Sequence, residues 1–266
     1  MKTMSDVIPT LKGDYIYNLM VKGKRLDGRG FEDFRDIKLE TNVIAKAEGS
    51  AKVTLGKTQV LVGVKLQTGT PFADSRDEGV IITNLELNPI ASPSFEPGPP
   101  REEAIEMARV VDRGIRESGA IDIKKLCITE GESVWIAFID IHVLNDEGNI
   151  IDASCLAGIG ALMTTIVPNE MAGIGEDAPL AMKEMPVGVT IAKIGGKLMV
   201  DPGRDEEAVC ETKLTVVSSS DGSVNGMQKI GSAPLTEDEL LEAIELARKK
   251  AEEIRGEFLV GLERKD

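Results

Sequence analysis

Three arginines could grip an anion if the segment that carries them is a helix. They lie in the run Arg101-Glu-Glu-Ala-Ile-Glu-Met-Ala-Arg-Val-Val-Asp-Arg-Gly-Ile-Arg116. Arg109, Arg113 and Arg116 fall at i, i+4 and i+7, so on a helix all three project within an arc of ~60°. Guanidinium forks on one face suit the phosphates of a nucleic-acid backbone. The same spacing also suits a solvated face. Glu106 stands three residues before Arg109, Asp112 four before Arg116, and Glu117 four after Arg113. Each such pair stabilises a helix by ~0.2–0.5 kcal/mol. Cations in the last turns also complement the helix dipole.

Other chemistry-bearing residues group less well. The single histidine, His142, shares a strand face with Asp140, and Ser154 completes a Ser-His-Asp set on paper. The Gly-x-Ser-x-Gly elbow that would present such a serine is absent. One histidine and the scattered Cys127, Cys155 and Cys210 supply no metal-ligand cluster. Gly158-Ile-Gly160 has Met163 where a dinucleotide fingerprint needs its third glycine. The stretch Asp201-Pro-Gly-Arg-Asp-Glu-Glu207 reads as a hydrophilic loop, with a magnesium site as the other reading. No catalytic residue, metal or cofactor follows from these patterns.

The elements that must position the arginines are legible. A short helix is expected near Ile16–Met20, then a turn at Arg25-Leu-Asp-Gly-Arg29. Strands are expected at Asp36–Ala45, Ser50–Leu55, Gln59–Gln67 and Val80–Leu87, with Val60, Val62, Val64 and Leu66 on one face of the third. The segment Asn88–Pro100 carries five prolines and reads as a rigid surface loop. On the arginine helix, Ala104, Ala108, Val111 and Ile115 form the buried stripe. The pattern then restarts: a strand at Ser133–Leu144, a helix at Ala153–Ile166, a hairpin of Val187–Ile194 and Lys197–Val200 around Gly195-Gly196, a strand at Cys210–Ser218, and a helix at Thr236–Arg255. That helix opens with the capping box Thr236-Glu-Asp-Glu239. The fold class is α+β, with helices packed on mostly antiparallel sheets, in one unit of residues 1–266 with halves at about 25–130 and 131–262.

Composition limits the options. The 266 residues carry a formal net charge of −14, which argues against a generic nucleic-acid-coating protein. A focused basic site remains open, because screening confines distant charges to ~8 Å at physiological salt. Aromatics are only 3%, too few for a base-stacking platform. Three unpaired-looking cysteines fit a reducing cytosol, and the longest apolar run, Cys155–Val167, is too short to span a bilayer. The expected setting is cytoplasmic, away from a membrane.

Taken together, Arg25-Leu-Asp-Gly-Arg29, Arg109-Val-Val-Asp-Arg-Gly-Ile-Arg116 and the stretch Asp201–Val217 resemble the RNase PH family of phosphorolytic exoribonucleases. The resemblance runs from about Arg25 to the last helix, and within the family it is strongest to the non-catalytic ring subunits of archaeal exosomes. It implies a fold of two β-α halves. In active members a Gly-(Thr/Ser)-Arg-Ser-type turn cradles phosphate. The matching segment here is Gly148-Asn-Ile-Ile-Asp-Ala-Ser154, with Ile150 and Ile151 where the hydroxyl and guanidinium should be. Neither side chain can hydrogen-bond a phosphate. Active members also carry two aspartates six residues apart before a Val-Val strand, and the matching positions hold Glu207 and Lys213.

The resemblance therefore implies a subunit without its own chemistry. It implies single-stranded RNA held by Arg109, Arg113 and Arg116 beside a neighbour's active site. It also implies a hexameric ring that alternates with a catalytic RNase PH-like subunit, capped by RNA-binding proteins. Two alternatives stay open at this level: an active phosphorolytic 3′–5′ exoribonuclease, and a purely structural ring scaffold.

Overall fold

The computed structural model describes residues 4–262. Helix α1 (Met4–Val21) begins well before the short helix expected at Ile16–Met20. Those two residues are its buried anchor and pack with Ala192, Ile194 and Met199. Strand β1 (Ile37–Thr41) stops short of Ala45. Asn42 takes a left-handed backbone (φ 56°) and its N–H bonds the Ser50 carbonyl at 2.7 Å, which turns the chain early. β2 (Gly49–Leu55) and β3 (Thr58–Gly69) form a hairpin through Gly56-Lys57, and β4 is Val80–Leu87, as expected. On β3, Val60, Val62, Val64 and Leu66 are buried while Leu61 and Gly63 face outward.

The proline-rich segment is pinned to the first sheet. Asn88 Nδ2 donates to the Val143 carbonyl at 3.1 Å, and the Asp146 N–H to the Ala91 carbonyl at 3.1 Å. Helix α2 (Glu102–Glu117) follows with Ala104, Ala108, Val111 and Ile115 buried, the stripe its periodicity predicts. β5 (Cys127–Thr129) and β6 (Ser133–Asn145) complete the first sheet in the order β1-β2-β3-β6-β4, with β5 on β6. All pairs are antiparallel except β4 with β6, which run parallel. A parallel pair needs a crossover, and α2 supplies it. The sheet thus takes its longest strand from beyond residue 130, and the break expected there falls inside the first layer.

Helix α3 (Ile150–Met163) starts three residues earlier than expected and ends three earlier. It is apolar on every side and buried along nearly its whole length, the composition of a helix packed on two faces. One face lies on β2 and β3, the other on the later strand Val187–Ile194. Gly160 permits that approach: a Cβ there would sit 3.0 Å from Leu39 and 3.3 Å from Ala51. A short pair, β7 (Ile166–Val167) and β8 (Ala178–Pro179), flanks the helical turn α4 (Asn169–Ala172).

The second sheet is antiparallel, ordered β10-β9-β11-β12, from β9 (Val187–Ile194), β10 (Lys197–Val200), β11 (Thr212–Ser218) and β12 (Val224–Ile230). The turn α5 (Arg204–Glu207) connects β10 to β11. β12 escapes sequence reading because its half-exposed residues alternate only weakly; the turn at Ser219–Ser223 folds it back on β11. Helix α6 (Glu237–Ile254) covers this sheet with Ala243, Ala247, Ala251 and Ile254. Helix α2 packs on β4, β12 and α3, so it bridges both sheets.

The capping box expected at the start of α6 is formed. Thr236 Oγ1 accepts from the Glu239 N–H at 3.2 Å, and Glu239 Oε2 accepts from the Thr236 N–H at 2.8 Å. Thr236→Ala should lower stability by about 1 kcal/mol. Urea unfolding monitored by circular dichroism checks this, and an unchanged midpoint would refute it.

Candidate nucleic-acid interface

Arg109 and Arg113 line a shallow groove of about 170 Å³ between α2 and β12, with Glu106, Val110, Val217, Gly226, Met227 and Gln228. Both arginines are exposed, and among the described residues neither forms a hydrogen bond or ion pair. The pairs expected from spacing, Glu106 with Arg109 and Arg113 with Glu117, do not form. The third does: Arg116 reaches Asp112 at 3.1 Å and also donates to the Ile81 carbonyl at 3.0 Å. Its guanidinium is therefore turned toward β4, away from the groove. One face of the helix thus holds two unspent cations and one committed cation, a difference that i, i+4, i+7 spacing does not reveal.

The groove adjoins a larger cleft of about 490 Å³ at the start of α3. Gly148 (φ 87°) and Asn149 (φ 57°) have left-handed backbones, and the helix begins at Ile150. The cradle-like turn is thus confined to two residues. Ile150 and Ile151 line the cleft wall, each 6% exposed. Glu207 and Lys213, far from α3 in sequence, line it too and pair at 2.6 Å. Burial pushes the Glu207 carboxyl up, against the opposing pull of Lys213 and the Asn149 N–H. The four positions matched in sequence to the family's cradle and its two acids therefore meet in one cleft.

The acidic stretch after β10 is not a hydrophilic surface loop. Asp201 is fully buried and left-handed (φ 48°). Its carboxylate accepts from Arg35 at 2.6 and 2.9 Å, from Arg29 at 2.8 Å, from Asn149 Nδ2 at 2.8 Å, and from the Arg35 N–H at 2.9 Å. Burial alone would raise this carboxyl; the Arg35 bonds and charge outweigh burial and hold it below the usual range. Glu206 is also buried, in a two-pronged pair with Arg25 at 2.6 and 3.0 Å. Sequence reading missed this function for Arg25, Arg29 and Arg35. The signal was Arg25-Leu-Asp-Gly-Arg29, whose charges need a partner roughly 170 residues away.

The Ser-His-Asp set does not assemble. Asp140 accepts from Asn84 at 3.1 Å, and His142 Nδ1 lies 3.3 Å from Glu86, on the outward face of the first sheet. Ser154 is buried within α3, on the sheet's other face.

Two sheets pack around a shared apolar helix, and a cleft opens where that helix starts, an α+β architecture with its site between the layers. Residues 33–168 match the model of the 3′ exoribonuclease family, domain 1 (RNase_PH), and residues 184–250 that of domain 2. The chain belongs to this family. It is 83% identical over 262 residues, 98% of each chain, to the protein named exosome complex component Rrp42 of Methanosarcina acetivorans. It is 53% identical over 254 residues, 94% of this chain and 98% of the other, to the protein of that name from Archaeoglobus fulgidus. Among solved structures, a chain of the Archaeoglobus fulgidus exosome with RNA bound to the active site superposes with a TM-score of 0.93. It is 51% identical, and the match covers 95% of this chain and 100% of that one. A chain of an archaeal exosome core gives a TM-score of 0.89 at 47% identity, over 96% and 99% of the two chains.

Asp152, in the first turn of α3, has a testable titration. It accepts from Thr190 Oγ1 at 2.7 Å, the Thr190 N–H at 2.9 Å and Asn149 Nδ2 at 2.9 Å. Burial nonetheless raises its carboxyl from 3.8 to about 7, with a further push from Asp201. The folded chain therefore holds a proton that the unfolded chain releases at lower pH. Stability from this group is full below pH ~4 and falls as pH rises to ~7, on the order of 1.4 kcal/mol per unit. Asp201 stays charged across the upper part of that window. Asp152→Asn, whose amide can still serve Thr190 and Asn149, should flatten the profile. Urea unfolding of both proteins at pH 5, 6 and 7 measures the slopes, and parallel profiles would contradict the assignment.

Proposed function

We propose that this chain is a non-catalytic subunit of an archaeal-type exosome core, a complex that degrades RNA from its 3′ end. The observation that carries this reading is one contrast. Arg109 and Arg113 are exposed and unpaired. Beside them, Ile150, Ile151 and the Lys213–Glu207 pair line the cleft where the family's chemistry would need a phosphate cradle and two acids. A guanidinium pair offers charge-assisted bonds to phosphates of single-stranded RNA. An isoleucine pair offers an orthophosphate nucleophile nothing. The proposed partner is a catalytic homologue alternating with this chain in a hexameric ring, with RNA-binding cap proteins above. The chain would act as one unit of residues 1–266, in the cytoplasm. No helix among the described residues is long and apolar enough to cross a membrane. Arg116 is left out of the RNA contact, because Asp112 and the Ile81 carbonyl hold it.

Two measurements test this. The isolated chain, given a 3′-extended RNA and orthophosphate, should release no nucleoside diphosphate above background, while the reassembled complex should. Phosphorolysis by the isolated chain would establish the active-enzyme alternative. Arg109→Glu with Arg113→Glu should weaken RNA binding by the complex about tenfold or more and leave the ring intact by native mass measurement. Loss of two phosphate contacts should also make the salt dependence shallower by about 1.4 in log–log slope. Unchanged RNA affinity would favour the scaffold alternative.

A further inference from the structure

The cleft beside the arginine groove has lost the means to hold phosphate, yet it remains open and lined with unspent hydrogen-bonding groups. Five carboxylates line it, from Glu102, Glu103, Glu106, Asp146 and Glu207, against two cations, Arg204 and Lys213. Both cations are taken, Arg204 by Asp146 at 3.7 Å and Lys213 by Glu207 at 2.6 Å. An entering phosphate would meet net negative charge. A neutral ligand would not, and much of the wall is apolar: Phe95, Val110, Ile150 and Ile151.

Three features say what neutral ligand fits. First, the cleft and the arginine groove are continuous, sharing Glu106, Val110 and Gln228. A nucleotide with its phosphate on Arg109 and Arg113 has its base within reach of the cleft. Second, Gln228 stands at that junction, half-buried on β12, and among the described residues its side-chain amide has no partner. Third, Asn149 lines the same cleft, is 2% exposed, and has a buried Oδ1 with no donor. The unspent groups are mostly acceptors: the Asn149 oxygen, the Gln228 oxygen and the carboxylates of Glu102, Glu103 and Glu106.

We propose that this cleft is a nucleobase pocket, which takes an amino-bearing base of the RNA whose backbone lies on Arg109 and Arg113. This rests on the reading of those arginines as RNA contacts. Gln228 is the specificity-determining residue. Its amide oxygen accepts from the exocyclic amino group of adenine, cytosine or guanine, which uracil lacks. The departures that removed phosphate chemistry, Ile150 and Ile151, supply apolar surface for the ring.

The test uses the full-length chain and fluorescein-labelled oligo(rA) and oligo(rU) of equal length, followed by anisotropy. The unsubstituted chain should prefer oligo(rA) by roughly two- to tenfold, the worth of one neutral hydrogen bond. Gln228→Ala should erase the preference. Gln228→Glu, an acceptor only, should keep it while weakening both oligomers. Arg109→Glu with Arg113→Glu should weaken both oligomers alike. Equal binding by the unsubstituted chain, or a preference that survives Gln228→Ala, would overturn the pocket and leave the arginine contact standing. Full binding by the double arginine variant would overturn both.

Discussion

Asp201 joins three parts of the chain that lie far apart in sequence. Its carboxylate lies where the segment before β1, the start of α3 and the connection after β10 converge. Two arginines come from the first, an asparagine amide from the second, and the acid itself from the third. A bare carboxylate at this depth would be costly, and only a full set of donors makes it tolerable. Arg35 also reaches the carbonyls of Glu147 and Gly148 at 2.8 and 3.1 Å, so the same guanidinium ties down the turn that opens the cleft. The parallel Arg25–Glu206 pair fixes the α5 turn. Removing either partner of such a pair leaves an uncompensated charge in the interior.

From that clamp the cleft follows. Gly148 can take its positive φ, and a Cβ there would come within 2.4 Å of the Arg204 nitrogen, so the two connections touch backbone to backbone. The contact brings Glu207 and Lys213 to the start of α3, facing Ile150 and Ile151. Helix α2, crossing between β4 and β6 while packing on β12, brings Arg109 and Arg113 to the adjoining groove. Basic and acidic surfaces are thereby separated over a short distance. A chain with net charge −14 can present a cationic groove because screening and paired acids confine each charge to its surroundings.

Much of this architecture is legible in the amino-acid sequence. The span of β4, the hairpin of β9 with β10, and the buried stripe of α2 follow from short-range periodicity and turn chemistry. Errors gathered where long-range contacts override local pattern. Asn42 ends β1 early, β12 is a strand only because β11 offers it an edge, and β6 joins a sheet begun far upstream. The acids of the stretch Asp201–Glu207 look like a solvated loop because their arginines lie so distant in the chain.

By itself the sequence determined the family pattern, the secondary elements, and that Ile150 and Ile151 stand where the resemblance expects phosphate-binding groups and Lys213 where it expects an acid, since side-chain identity alone says what can carry a charge or donate a bond. It also placed three arginines on one helical face. Only the tertiary structure decided which of them are free. Arg116 finds Asp112 on its own helix and a carbonyl on β4, whereas Arg109 and Arg113 look across at β12, a strand that supplies no carboxylate within reach. The physical reason is that an ion pair depends on which groups the fold brings within a few ångströms, and spacing along a helix specifies only the direction in which a side chain leaves it.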